Sequence, residues 1–326
     1  STTEASQQYD GRDKIYPTKL LTVSKVTGSY SASDPANGYV FNVQNLKTNV
    51  VDVSRFGELF VIPFGENIST LSNPAITTSA FRYVGVFVRA SEDGTIVELD
   101  HDLNNATATI KSPVLSEGQV WFYDGTASAP GVSPGNTNNA NDIKAGAIIT
   151  SNKPVGVDLV FGGIDAYGTR NIPVLPGKYY GDTYYSPIHT TNTAAPVYAV
   201  FNNILSEPIT LNWSNGLGNG GTLTIPANGY TSMHMNQATG YKFQSTNGKS
   251  YTAIAVIDAD SDGSSYDWAF NMIPEHQLTN FASTAWAPGM ASSQTANPVW
   301  VTPAETTTVY VKYNGSVMTG SGSTSP

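Results

Sequence analysis

The feature that most restricts the fold is a pattern the chain uses twice. Tyr83-Val84-Gly85-Val86-Phe87-Val88, then Thr95-Ile96-Val97-Glu98-Leu99, returns about 113 residues later as Pro196-Val197-Tyr198-Ala199-Val200-Phe201, then Pro208-Ile209-Thr210-Leu211-Asn212. Further along, Glu117-Gly118-Gln119 aligns with Asn228-Gly229-Tyr230. Asn171-Ile172-Pro173 aligns with Met272-Ile273-Pro274, and Tyr185-Ser186-Pro187 with Trp286-Ala287-Pro288. The spacing shrinks to about 101, and the Gly/Ser/Pro/Asn loop from Thr126 to Asn141 absorbs the change, because its counterpart near Asn236 to Gly240 is much shorter.

Inside each copy apolar residues alternate, as in Val84-Val86-Val88, Val155-Val157-Leu159 and Ile209-Leu211-Trp213, and Gly, Pro, Asn and Asp bound the runs. No stretch keeps a helical apolar period over three turns. The fold expected is all-β, with tandem Ig-like or jelly-roll β-sandwich units and incomplete units at both ends. Residues 80–192 form one sandwich and 193–292 the other. Residues 1–79 supply an N-terminal extension and the back part of a unit, since Val61-Ile62-Pro63 resembles the closing Ile172-Pro173 segment. Residues 293–326 supply the front hairpin of a further unit and a Ser/Gly-rich tail.

Composition narrows the function classes. Of 326 residues 40% are apolar and 13% charged, and the net charge of -9 opposes nucleic acid and anionic lipid, which reward clustered Lys and Arg. Cysteine is absent, so disulfides, thiolate catalysis and Cys-based zinc sites are excluded. The start at Ser1-Thr2-Thr3-Glu4 lacks an initiator Met and a basic-then-apolar leader, and no window is apolar enough to span a bilayer. The expectation is a mature or trimmed product, extracellular or at the cell surface, with no membrane insertion in this segment.

Three motifs in order carry a family resemblance. They are Ser91-Glu92-Asp93-Gly94-Thr95-Ile96-Val97, then Glu117-Gly118-Gln119, then Ile149-Thr150-Ser151-Asn152-Lys153-Pro154-Val155. This order resembles the repeat of the IgGFc-binding-protein N-terminal domain family over 80–192, and more faintly over 193–292, where Ser245-Thr246-Asn247-Gly248-Lys249-Ser250 replaces the Ser-Asn-Lys-Pro turn. The resemblance implies a building block of large bacterial cell-surface proteins, without enzyme activity. Pro154 is expected at the first position of its strand, where no ladder hydrogen bond is lost.

Asp258-Ala259-Asp260-Ser261-Asp262-Gly263 sets carboxylates at alternate positions before a glycine turn, the spacing that wraps oxygens around a hard cation. Asp258, Asp260 and Asp262, with Asp267 as a further acid, are the expected calcium ligands; a solvated acidic turn is the alternative. Glu92-Asp93 and Asp100-His101-Asp102 read as solvated loops. No nucleophile elbow, zinc-spaced histidine pair or phosphate loop occurs, so no enzyme is expected; a hydrolase with unplaced carboxylates is the rival. Tyr184, Tyr185 and Trp286 read either as a sugar-stacking platform or as plugs between units.

The function expected is structural or adhesive. One version is a filament or surface-array subunit in which the C-terminal hairpin, with Val299, Trp300, Val309, Val311 and Tyr313, pairs with the N-terminal strands of the next copy. The competing version is a fragment of a longer repeat protein, its partners being other units of that protein. The alternative class is a carbohydrate-binding module of a secreted protein.

Overall fold

The structure, a computed structural model, describes residues 23–27, 40–44, 56–68, 83–104, 107–124, 142–162, 169–186, 197–235, 239–257, 269–281, 301–313 and 316–318. It is all-β, with several antiparallel sheets, one of them curled into a half-barrel. A hairpin of β1 (Val23–Thr27) and β2 (Val40–Gln44) comes first. The curled sheet contains β3 (Gly57–Val61), β4 (Tyr83–Ala90), β5 (Val97–Asp100), β6 (Ile110–Lys111), β7 (Val120–Asp124), β8 (Ile148–Gly162) and β9 (Thr169–Pro173). Its order is β6-β5-β8-β4-β7, with β3 and β9 also on β8.

Next come β10 (Thr183–Ser186), β11 (Val197–Asn203), β12 (Ile209–Asn215), β13 (Gly220–Ile225), β14 (Gly229–Met235), β15 (Tyr241–Ser245), β16 (Thr252–Ile257), β17 (Ala269–Asn271) and β18 (Ile273–Pro274). They make two facing sheets, β13-β12-β15-β10-β18 and β14-β11-β16-β17. A hairpin of β19 (Val311–Tyr313) and β20 (Ser316–Met318) follows.

Both halves carry the same ladder. Thr150 of β8 lies between Glu98 and Leu59, as Gln244 of β15 lies between Asn212 and Thr183. Asp158 of β8 lies between Phe87 and Pro173, as Ile254 of β16 lies between Val200 and Asn271. β8 therefore does alone what β15 and β16 do as a pair, and β3 is to the first repeat what β10 is to the second. A glycine marks each start: a Cβ on Gly57 would come within 2.4 Å of Pro176, and one on Gly181 within 2.6 Å of Pro274.

The ladder corrects four readings of the sequence. Pro154 is not at a strand start. It stands inside β8, where the strand leaves β5 and β3 for β4 and β9, so its missing N–H removes no ladder bond. The partner of Pro274 is Pro176 rather than Pro173, since each extended proline opens a 3-10 turn, Gly177–Tyr179 or Glu275–Gln277. Gly118 matches Asn228, not Gly229; both hold positive φ, 76° and 44°, a conformation that glycine and asparagine tolerate. Val61-Ile62-Pro63 matches Tyr185-Ser186-Pro187 instead of the Ile172-Pro173 segment, because β3 and β10 occupy one ladder position. β10, Thr183–Ser186, pairs with β15 and β18.

Two cores result. Val84, Val86 and Val88 point inward from β4 against Leu99, Val157 and Leu159, all buried. The second is aromatic, with Phe201 edge-on to Phe243 at 4.8 Å and to Tyr251 at 6.0 Å.

Candidate functional site

In the β14-β11-β16-β17 sheet the inner strands β11 and β16 are buried on both faces. Val197, Ala199 and Phe201 point into the second core, while Tyr198 and Val200, with Ile254, Val256 and Ala269, join the cluster of the first repeat. Every residue of β11 is buried. A continuous apolar run, as in Val197 to Phe201, is what a doubly covered strand requires.

The first repeat reaches this face with one loop end, residues 62–68 after β3 and 142–147 before β8. Phe64, stacked on Phe161 at 4.6 Å, fills that end. Side chains of the second repeat donate to carbonyls of this loop end and of the end of β9. The Asn202 amide donates to the Pro63 carbonyl at 2.9 Å, the Asn271 amide to Pro173 at 2.6 Å, and the Tyr230 hydroxyl to Asn67 at 3.4 Å. From the connecting segment, the Tyr180 hydroxyl accepts the Val61 amide at 2.8 Å, and burial raises its pKa. Each such bond contributes about 1 kcal/mol net, and burying Val200 or Ile254 about 2 kcal/mol.

The same ladder positions on the first repeat form its outer face. Phe87 and Arg89 stand where Val200 and Asn202 do, Phe122 where Ser232 does, and Asp158 and Val160 where Ile254 and Val256 do. On this face Phe122, stacked on Phe87 at 4.4 Å, is 43% exposed, while Phe87, Arg89, Asp158 and Val160 are half-buried. One edge is covered by Phe56, whose ring lies 5.2 Å from the Arg89 guanidinium and within 2.5 Å of where a Gly156 Cβ would be.

The loop end of the second repeat meets the C-terminal segment in a related way. Gly146 and Gly240 are equivalent, each directly preceding a matched strand segment. The Asn202 amide oxygen approaches a Cβ position on Gly146 at 3.8 Å; Thr302 approaches that on Gly240 at 2.6 Å. The Thr302 hydroxyl donates at 3.4 Å to the carbonyl of Ser186, one residue before the position that matches Pro63, the acceptor of Asn202. Thr302 thus lies against the loop end of the second repeat near the place Asn202 holds on the first.

The motifs behind the family resemblance meet at the other end of the first repeat. Asn152 accepts the Ile96 amide at 2.7 Å and donates to the Gly94 carbonyl at 3.1 Å. Lys153 reaches the Asp93 carbonyl at 2.6 Å and Glu92 at 3.7 Å, and Asp93 accepts the Glu117 amide at 2.8 Å. Asx-type acceptance and a lysine clasp lock three turns together, a structural task for residues that look like an acidic site. Lys249 pairs with Glu207 at the matching corner of the second repeat. Asp100 and Asp102 lie at the far end of β5 and cap their own loop, accepting the Leu103 and Asn104 amides.

Asp258, Asp260, Asp262 and Asp267 lie outside the described residues, as do Val299, Trp300 and Trp286. Among the described residues no group of three or more His, Asp or Glu is placed to hold a metal ion, and no helix is long and apolar enough to cross a membrane. Tyr184 is 1% exposed; it donates to the Tyr251 carbonyl at 2.5 Å and accepts the Gly181 amide at 3.0 Å. Tyr185 is 7% exposed and donates to Glu275 at 2.9 Å; burial, then that carboxylate, pushes its pKa up to about 12. Neither ring presents a face to a sugar. Val309 is half exposed, just before β19, and the backbones of Val311 and Tyr313 pair with Met318 and Ser316.

Sequence reasoning missed Asn202, Tyr198, Tyr230 and Phe122. The signal for the first two was legible: β11 lacks the alternation that Gly85 and Arg89 give β4. No protein-family model matches the chain, and no curated protein sequence matches it, so the family resemblance rests on the motifs alone.

Proposed function

We propose that the chain is a non-catalytic structural or adhesive protein of the bacterial cell surface or extracellular space, built by serial docking of β-sandwich repeats. The observation that carries this reading is a pair of related contacts, each on a loop end beside an equivalent glycine: Asn202 on that of the first repeat, Thr302 on that of the second. A unit that lays its loop end on the sheet face of the next makes a heterologous contact, and such contacts continue until something caps them. The array is continued by other copies, with the C-terminal strands of one pairing beside β1 and β2 of another, through edges that offer unpaired backbone groups. The likeness to the IgGFc-binding-protein N-terminal domain family supports the same reading. Of the three rings the carbohydrate-binding alternative would use, Tyr184 and Tyr185 are buried, and Trp286 lies outside the described residues.

The test is sedimentation velocity of the full chain and of a chain lacking residues 294–326. The reading expects large, concentration-dependent species from the first and folded monomers from the second. Equal sedimentation of the two, whether both monomeric or both assembled, would overturn it.

Calcium belongs to the proposal as a separate element, held by Asp258, Asp260, Asp262 and Asp267. An ion that binds only the folded chain stabilises it by mass action, so EDTA should lower the melting temperature. An unchanged melt with EDTA or with excess calcium removes this site.

A further inference from the structure

We infer that Asn247 is a site of spontaneous covalent modification, where the side-chain amide closes on the Gly248 backbone nitrogen to form a succinimide that water opens to an aspartyl or isoaspartyl residue. The inference goes beyond the assembly reading and does not depend on it. An asparagine followed by glycine meets least hindrance to this closure, because no Cβ shields the attacking nitrogen. Among the described residues Asn215, Asn219, Asn228 and Asn247 all precede glycines. The fold separates them by what it does with the glycine. Gly216 donates its N–H to the Gly240 carbonyl at 3.2 Å. Gly220 is paired with Ser214 in β13, and Gly229 with Asn203 in β14. Gly248 lies in the turn between β15 and β16, outside both ladders, and it and Asn247 are exposed.

The group under attack is held as well. The Ser245 hydroxyl donates to the Asn247 side-chain carbonyl at 2.8 Å, and the Lys249 amide donates to the same oxygen at 3.3 Å and to the Ser245 hydroxyl oxygen at 3.1 Å. The bond from Lys249, two residues on, folds the Asn247 side chain forward over the Gly248 peptide, beside the nitrogen that attacks. Hydroxide takes the Gly248 amide proton, the nitrogen bonds to Cγ of Asn247, and negative charge develops on the oxygen that the two donors hold. The Cγ–Nδ2 bond then breaks, and the departing nitrogen gains a proton from water and leaves as ammonia. Water opens the ring at the side-chain carbonyl to give aspartate, or at the backbone carbonyl to give isoaspartate, with one more CH2 in the main chain. Asn215 shows that donors alone do not decide. Its carbonyl accepts two amides at 3.0 Å, but it is 8% exposed and its glycine is engaged. At Asn247 the reaction adds negative charge to a turn that already lies near the Asp182 carboxylate, 3.8 Å from where a Gly248 Cβ would be.

The experiment holds the full chain at neutral and at mildly alkaline pH and follows each asparagine by peptide mass spectrometry. Cleavage after Lys242 and Lys249 releases residues 243–249, in which Asn247 is the only asparagine. This peptide should gain the mass of an amide turned into a carboxyl, as an aspartyl and isoaspartyl pair, at least about tenfold faster than Asn215, Asn219 or Asn228 convert. The rate should rise with pH, because the attacking nitrogen must lose its proton. In urea, where no ladder holds the glycines, the four asparagines should convert at similar rates. Ser245→Ala takes one donor from the carbonyl and should slow Asn247 by about fivefold, the rate equivalent of one hydrogen bond. An Asn247 that stays intact in the folded chain, or converts no faster than the other three, would overturn the inference, and so would the same ranking in urea. An unchanged or faster rate in Ser245→Ala would overturn the part given to the Ser245 hydroxyl.

Discussion

In the first repeat β8 runs unbroken from one layer to the other and the core is mainly aliphatic; in the second, a turn through Gly248 cuts the same path into β15 and β16 and the core is richer in aromatic rings. The ladder register survives both changes. Topology here depends on which backbone groups pair, and on glycine at Gly57 and Gly181, more than on the identity of the core side chains. What does follow identity is the outer face. Tyr198, Val200, Ile254 and Val256 make it apolar on the second repeat, where it is covered, and Phe87, Arg89 and Asp158 make it mixed on the first, where they are half-buried.

The largest expected effect breaks the covered face. Val200→Asp places a carboxylate in the seam and should cost about 4 kcal/mol or more in urea unfolding, whereas Phe122→Asp, at an exposed side chain, should stay within about 1 kcal/mol. Equal costs would mean that the two faces are not covered differently. Because the seam shares one core cluster, Val200→Asp should shift a single transition; two resolved transitions would show that the repeats fold independently.

Alkali should separate the repeats next. Burial raises the pKa of Tyr180, Tyr184, Tyr230 and Tyr251, and burial with Glu275 raises that of Tyr185, all in the second repeat or the segment leading to it. The folded chain keeps these protons where the unfolded chain releases them, near pH 10. Their contribution to stability is therefore full below that pH and lost as it rises further. Absorbance titration should show late, cooperative ionisation coincident with loss of near-ultraviolet dichroism. Independent titration of every tyrosine near pH 10 in a folded chain would contradict the burial.

A smaller effect sharpens the comparison at the clasp. Asn152→Ala removes two hydrogen bonds that tie β8 to the β4–β5 turn and should cost about 1 to 2 kcal/mol. Lys249→Met removes a surface ion pair at the matching corner and should cost about 0.5 kcal/mol. A reversed order in chemical denaturation would show that the second repeat depends on its corner more than the first.

The smallest effect is that of His234, whose ring lies 5.4 Å from Tyr198. Burial lowers its pKa below 6.5, so the folded chain holds it neutral while the unfolded chain takes up a proton. Stability from this group is full above pH 6.5 and declines as the pH falls below it. His234→Gln should flatten the slope of stability between pH 7 and 5, and an unchanged slope would remove His234 from that dependence.

Much of this was legible in the alternation and the repeat. Val84-Val86-Val88 and Ile209-Leu211 became core-facing strands because a period of two leaves one face for the core. The exact equivalences were not legible, because spacing counts residues while the ladder counts hydrogen bonds. Pro274 therefore aligned by eye with Pro173, three residues from the Pro176 that makes its contact. Pro154 looked like a boundary because proline removes a donor; only the change of partners inside β8 makes that loss free. The acidic turn Glu92-Asp93 gave no sign in sequence of its lysine and asparagine clasp, whose members are some sixty residues away along the chain.

The central claim is that the docking of repeat on repeat continues from one copy of the chain to another. Electron micrographs of the purified chain test it most directly. The account predicts linear assemblies with one axial period per chain, absent when residues 294–326 are removed; dispersed single particles at the same high concentration would contradict it.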